Sequence, residues 1–436
     1  MQYNITKIPT LLVGYNIPSL VTVDEQINPV QGLIVLCRVK TTKDRMNVLE
    51  GPNPGDFTTI SENDIFPVIL GKRCATHGCS GDVPTKLFPG DTIELLGESG
   101  FGGVLEGVNE DYGYPPTLTV LGTIPGTDGQ PFMMKATVPP LPPGDEVPRL
   151  APLIGVAGTC MEVGKTGMVC QLVRQLTAKG LRVAACKVTG SGSPRDKPRL
   201  RQEGADPVFG IVDAGIPSTC GDVDEVISSA LRLLLAASQS NPDVIIVEFG
   251  DGILGGYHVK DVLTCEAIQR HMLALIVAVS DFVAAWGAKE LLGQIGMEVS
   301  VITGVGVNSV SAQRFIEKEM GVLAESNRSE IPRTMELIKS KLRSNSGTFG
   351  FHLRVAVLIM SGERSASRKP IACGRYSNSS ALENPLSSSK YGPYSPKVRN
   401  NTLLTYPMSM KSNVRLRLAA ISAEITAIIG VVWVFV

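Results

Sequence analysis

Gly155-Val156-Ala157-Gly158-Thr159-Cys160-Met161-Glu162-Val163-Gly164-Lys165-Thr166 decides how the chain is read. The apolar run Leu153 to Ala157 has the length and character of a buried strand. A glycine-containing loop follows, and Gly164-Lys165-Thr166 opens a stretch to Lys179 with apolar residues at Met168, Val169, Leu172, Val173 and Leu176. That spacing predicts an amphipathic helix. Strand, loop and helix in this order are the context of a phosphate-binding loop. Loop N–H groups and the positive end of the helix then face one concavity, which attracts anions. Lys165 is placed to reach outer phosphates, and the Thr166 hydroxyl to ligate Mg²⁺. In the usual G-x-x-x-x-G-K-[ST] pattern the first glycine falls on Thr159, with Gly158 one place earlier.

Working outward, residues 151 to about 325 alternate apolar runs (153–157, 182–188, 243–248, 273–279, 298–303) with helix-like stretches near 165–179, 223–239, 261–271, 284–294 and 310–320. Alternation of this kind predicts a parallel sheet with crossover helices. Ligands in such sheets bind beyond the carboxyl ends of the strands. The second strand ends in Lys187, a second cation for charge on a transferred phosphoryl group. Four apolar residues of the third strand run into Glu248, an acid at a strand end suited to Mg²⁺. The loop after Ser191 holds three further acids, Asp196, Glu203 and Asp206.

The loop Gly158-Thr159-x-x-Glu162-Val163-Gly164-Lys165-Thr166 resembles that of dethiobiotin synthetase and related P-loop proteins of cobalamin amidation and cofactor assembly. Cys160 and Met161 stand where that group has Asp and Thr. The group's K-P-V-x-S-G is similar to Lys187-Val188-Thr189-Gly190-Ser191-Gly192, with Val188 in the proline's place. Its V-E-G-A-G-G is similar to Val247 to Gly252, with Phe249 for the first glycine and Asp251 as an extra carboxylate. The resemblance implies an ATP- and Mg²⁺-dependent ligase that activates a carboxylate or carbamate. Gly158, Thr159, Glu162, Val163, Gly164, Lys165, Thr166 and Ser191 would hold the nucleotide, and Lys165 and Lys187 would act in catalysis. Thr166, Glu248 and Asp206 would hold the metal. A homodimer is also open on this resemblance. Two other functions share the loop: a P-loop amino-acid N-acyltransferase using acyl-CoA, to which Val305 to Ser309 is similar, and a switch or assembly NTPase. No Asn-Lys-x-Asp guanine signature is present, so ATP is preferred over GTP, and Asn308 is the nearest polar residue for a base.

Residues 1 to about 145 read as a β-rich domain, a small barrel or sandwich, with strand-like runs such as 32–39, 66–70, 92–96 and 117–121 separated by Gly/Pro turns. Cys74, His77 and Cys79 lie close together without a zinc-site spacing, and read as incidental. Pro139 to Gly144 is a stiff linker. The next domain runs from 146 to 345. His258 and His271 read as structural or exposed. Beyond 346 the chain is rich in Ser, Asn, Pro and basic residues and reads as a disordered tail. Leu418 to Val436 is apolar, but Glu424 near its middle is costly in lipid, so a membrane anchor is the lesser reading.

The chain has 436 residues, 43% of them apolar, enough for two or three domains with real cores. Its formal net charge is zero, so nothing in the overall balance points to nucleic acid. Nine scattered cysteines and an N-terminus without a signal pattern read as a cytoplasmic protein with reduced thiols. The expected partners are a nucleotide and a small-molecule substrate.

Overall fold

The first half of the chain is a series of short strands, most of them buried on both faces, and in the computed structural model the longer ones close on themselves. The structure describes residues 1–51, 56–126, 128–144 and 149–344. The strands are β1 (Gln2–Asn4), β2 (Leu20–Thr22), β3 (Ile34–Thr41), β4 (Val48–Glu50), β5 (Phe57–Thr59), β6 (Ile65–Leu70), β7 (Arg73–Cys74), β8 (Cys79–Asp82), β9 (Thr92–Gly97), β10 (Phe101–Val108) and β11 (Thr117–Thr123). The main sheet runs β6-β3-β11-β9-β10-β8-β7, and a further parallel pairing of β6 with β10 closes five of these strands into a barrel. The period of two is visible in its core. Val35, Cys37 and Val39 share one buried face with Phe66, Val68, Ile93, Leu95, Leu118 and Val120. Ile34, Leu36, Ile69 and Leu96 face the other way, against Leu11, Leu12 and Val21. At Gly102 an added Cβ would lie 2.8 Å from the Glu94 carbonyl oxygen, so the tight barrel wall requires glycine there. The β7-β8 hairpin extends from the barrel edge.

The second half is a sheet with helices on both faces. Its strands are β12 (Leu153–Gly158), β13 (Val183–Thr189), β14 (Val208–Gly210), β15 (Val244–Phe249), β16 (Met272–Ala278), β17 (Val299–Thr303) and β18 (Leu323–Ala324). Its helices are α1 (Lys165–Ala178), α2 (Asp196–Gln202), α3 (Val223–Gln239), α4 (Val259–Thr264), α5 (Glu266–His271), α6 (Phe282–Gln294), α7 (Val310–Met320) and α8 (Pro332–Ser344). The seven strands are parallel in the order β14-β13-β15-β12-β16-β17-β18. Ile154, Val156, Ala185, Ile246 and Ile276 pack on one face with Met168, Leu172 and Leu176 of α1 and Ile338 of α8. Leu153, Ala157, Cys186, Val247 and Val277 pack on the other, with Ala230 and Leu233 of α3 and Leu292 of α6. Both faces of every central strand are therefore covered, which is why these strands read as continuous apolar runs.

Two elements differ from expectation. The helix expected over 261–271 is divided at Cys265, whose backbone is extended. The Thr264 hydroxyl donates to the Asp261 carbonyl at 2.6 Å, a local bond that competes with helix propagation. Residues 196–202, expected as loop, form α2. Its proline, Pro198, sits in the first turn, where a missing N–H costs nothing.

The two halves are joined by hydrogen bonds. Ser99 Oγ donates to the Gly192 carbonyl at 2.6 Å. Thr137 and Val138 N–H groups donate to the Asp213 carbonyl at 2.8 and 3.1 Å. All described residues belong to one compact unit. No helix among them is long and apolar enough to cross a membrane. The tail and apolar segment expected beyond 346 lie outside the described residues.

Candidate phosphate-binding site

The loop from Thr159 to Gly164 leaves β12 and turns into α1 with two residues in the left-handed region, Glu162 (φ 58°) and Gly164 (φ 106°). Glycine at 164 is required twice over, because a Cβ there would also approach the Asn327 amide nitrogen to 2.9 Å. Neighbouring segments hold the loop in place. Thr159 N–H donates to the Ala278 carbonyl at 3.0 Å, and Ile253 N–H to the Gly158 carbonyl at 2.8 Å. Asn327 Nδ2 donates to the Gly164 carbonyl at 2.6 Å. Val163 is buried and anchors the loop in the core, while Glu162 points its side chain to solvent. The backbone of Glu162, not its carboxylate, is thus the part that serves the loop.

Lys165 is 7% exposed and folds back over the loop, with Nζ 2.7 Å from the Cys160 carbonyl oxygen. Burial pushes its ammonium below the usual lysine range, and Glu248 and Asp251 oppose that push. Thr166 Oγ1 donates to Glu248 Oε1 at 3.0 Å. Glu248 is 3% exposed, and its second oxygen, Oε2, is buried without a hydrogen-bond partner. Burial raises the carboxyl above its usual range against the pull of Lys187, Lys165 and the Thr166 hydroxyl. A buried carboxylate oxygen with no partner, beside a threonine hydroxyl at the mouth of a phosphate loop, is a donor set that fits Mg²⁺.

The register of the sheet brings Lys187 in from β13, since Lys187 and Glu248 are paired neighbours on adjacent strands. Lys187 Nζ lies 2.6 Å from Asp196 Oδ2. Burial alone would push Lys187 down, but Asp196 and Glu248 outweigh it and hold the ammonium above its usual range. Asp196 is half-buried, which alone would raise its carboxyl, yet the Lys187 cation beside it keeps it below the ordinary range. The turn beyond β13 is built on Gly190 (φ 109°), and Thr189 Oγ1 donates to the Gly250 carbonyl at 3.0 Å, locking the ends of β13 and β15 together. Ser191 follows on this turn, opposite Ser218, and lines a narrow cleft with Lys187, Ser193 and Asp196.

Asp206 is a correction. Its N–H donates to the Val183 carbonyl at 2.8 Å, at the start of β13. Lys187 and Glu248 stand four residues further along, roughly 13 Å away at about 3.3 Å per residue. Asp206 is therefore at the wrong end of the sheet to hold a metal with Thr166 and Glu248. Asp196, at the N-terminal end of α2, is the acid that the fold brings to Lys187. Glu203 is engaged by Arg174.

Other sequence-level candidates have structural partners. Asn308 Oδ1 accepts from Ser326 Oγ at 3.1 Å. His258 bonds Asp261 and the Gly221 carbonyl, and His271 bonds the Leu150 N–H and the Ala267 carbonyl. Cys79 is buried with its thiol on the Leu96 carbonyl, whereas Cys74 faces outward against Gly256, and its N–H lies 3.3 Å from the Tyr257 hydroxyl. The eight described cysteines are free thiols.

Two residues near the loop were not foreseen in their present roles. Asn327 comes from the β18-α8 connection, whose irregular sequence carries no periodic signal. Glu50 comes from the barrel half. It is 3% exposed, accepts from Ser193 Oγ with both oxygens at 3.1 Å and from Arg195 N–H at 3.0 Å, and so grips the segment that carries Asp196.

Fold and site together define an α/β P-loop protein with a barrel packed beside it. No family model and no curated protein matches the chain. Among solved structures it is similar to the signal recognition particle receptor FtsY of Elizabethkingia anophelis, at 18% identity, over 45% of this chain and 68% of that one, with a TM-score of 0.31. Chloroplast FtsY of Physcomitrella patens gives 12% identity, 44% and 65% coverage and a TM-score of 0.29. The cell division protein FtsY of Thermotoga maritima gives 16%, 48%, 72% and 0.28. Likenesses this low bear on neither substrate nor activity.

Proposed function

We propose that the chain is a Mg²⁺-dependent ATP-binding enzyme that transfers a phosphoryl group to a small carboxylate or carbamate. The observation that carries this reading is the Thr166–Glu248 pair: a hydroxyl and a buried carboxylate with one oxygen unpartnered, at the start of the helix that the phosphate loop feeds. Thr166 and Glu248 would hold the metal, which when bound neutralises phosphate charge. Loop N–H groups and Lys165 hold the β- and γ-phosphates. Lys187, fixed by Asp196, stabilises charge on the transferred group.

In the step itself a carboxylate oxygen of the acceptor attacks the γ-phosphorus, the bond from that phosphorus to the bridging oxygen breaks, and ADP leaves with the electron pair. An acyl phosphate forms, and no proton moves. Positioning and electrostatics suffice, which suits a site that presents two lysines and requires no nucleophile of its own.

The test is to incubate the full-length protein with Mg-ATP, a panel of carboxylates and hydroxylamine. Equimolar ADP and hydroxamate, absent in Lys165→Ala, is the expected result. Acylation of an amino acid from acetyl-CoA without ADP would instead select the acyltransferase. ATP hydrolysis indifferent to every small acceptor would select the switch NTPase.

A further inference from the structure

Beside the phosphate loop lies a groove of about 470 Å³ to which the reading above assigns no role. Ile253 and Leu254 form one wall, and Ala284, Trp286, Ala288 and Leu291 of α6 the other. Thr159 of the phosphate loop lines it as well. Both walls are tied to that loop. Ile253 N–H donates to the Gly158 carbonyl at 2.8 Å, and Ser280 N–H to Thr159 Oγ1 at 3.3 Å, just before α6 begins. The side chain of Asp281 caps α6, accepting from Ala284 N–H at 2.9 Å. The groove therefore starts at the loop and runs along α6 toward Gln294, roughly 15 Å at about 1.5 Å per residue.

Its size is that of a small-molecule site. Its chemistry is one-sided. Two large apolar side chains are left open to solvent, Leu254 at 67% and Trp286 at 58% exposed, which water alone does not favour. The end at Thr159 meets the start of the phosphate loop. The far end carries Glu290, an exposed carboxylate. Glu290 disfavours a second negative charge at the far end, while the Thr159 end is the one that faces the phosphoryl donor of the proposed reaction.

We infer that this groove is the acceptor subsite, and that its ligand is a monocarboxylic acid with an uncharged apolar body, medium-chain or aryl-substituted. The carboxylate lies toward Thr159 and the phosphate loop, and the body lies between Leu254 and Trp286. The inference deepens the phosphoryl-transfer reading and rests on it for the role of the subsite, not for the binding. A second copy of the chain covering Trp286 is the competing occupant.

Trp286 is the reporter. The chain's only other tryptophan is Trp433, so full-length Trp433→Phe leaves one emitter. Titration with sodium octanoate, and in parallel with the dicarboxylate octanedioate, reads occupancy directly. Gly287 supplies the control: it lines the groove, and a Cβ added there meets nothing within 4 Å, so Gly287→Leu starts its side chain in open space of the groove and has better helix propensity. The expected result is a saturable blue shift with octanoate, at least about tenfold weaker with octanedioate, and lost in Gly287→Leu while Mg-ATP binding is unchanged. A tenfold change corresponds to about 1.4 kcal/mol. Octanoate binding without any ATP binding would sink the nucleotide reading and leave the groove as a carboxylate site. Failure of octanoate to shift Trp286, an equal response in Gly287→Leu, or a shift that follows protein concentration with dimers in sedimentation would overturn the inference.

Discussion

Each half of this chain buries apolar side chains on both faces of its main sheet, yet only one of them announces its chemistry. The α/β half places Lys165, Thr166, Lys187 and Glu248 at strand and helix ends, where an apolar run stops on a charged residue. The barrel half contributes Glu50, whose carboxylate holds Ser193 and Arg195, from the end of a three-residue strand where nothing marks it. Residues that meet a ligand at a strand end are readable one segment at a time. Residues that steady another domain's loop become visible only when the domains are packed.

The largest expected effects fall in the readable half. Lys165→Ala removes a charge-assisted contact to phosphate and should weaken Mg-ATP binding roughly 100-fold, at about 1.5–3 kcal/mol for such a bond. Calorimetry reads it directly. Glu248→Gln keeps an acceptor for the Thr166 hydroxyl but removes the charge. Nucleotide affinity should then lose its dependence on Mg²⁺, measured by titration with and without the metal.

The unreadable half is tested next. Glu50→Ala strands the Ser193 hydroxyl and the Arg195 N–H in a buried interface, and should cost about 1–3 kcal/mol in urea unfolding. A matching rise in the KM for the acceptor, with Mg-ATP affinity unchanged, would show that the barrel steadies the Asp196 segment rather than only the fold. Glu50→Gln sharpens this through pH. Burial raises the Glu50 carboxyl above its ordinary value near 4.5, Asp196 adds to that, and Arg195 opposes it. A raised acid favours the folded state fully below 4.5 and loses that contribution as pH rises through the raised value. The fall in stability of the parent from pH 4.5 upward should therefore flatten in Glu50→Gln. The smallest effect belongs to Asp206→Asn, which should leave Mg²⁺ dependence within about twofold, because Asp206 stands at the far end of β13.

Particular residues show where sequence reading stopped. The order of strands and helices in the α/β half followed from apolar runs alternating with helix-like stretches and from the helical spacing of apolar residues in α1. The acid beside Lys187 did not follow, because the segment from Ser191 to Asp206 folds back through α2. Proximity in sequence favoured no one of its three acids, and only the parallel pairing of β13 with β14 separates Asp196 from Asp206. In the barrel, period-two patterning gave strands, but closure depends on β6 meeting β10, a contact between segments with no shared signal. The groove along α6 was hidden for a different reason. Its wall residues, Trp286 and Leu254, look in sequence like core.

The central claim is that the loop from Gly158 to Thr166, completed by Glu248, binds a metal–nucleotide complex. The most direct measurement is calorimetric titration of the full-length protein with ATP, and with GTP alongside, each with and without Mg²⁺, using Lys165→Ala as the reference. The account predicts one site per chain for ATP that requires Mg²⁺ and disappears in the variant. Equal heats for the parent and Lys165→Ala, or binding indifferent to Mg²⁺, would contradict it.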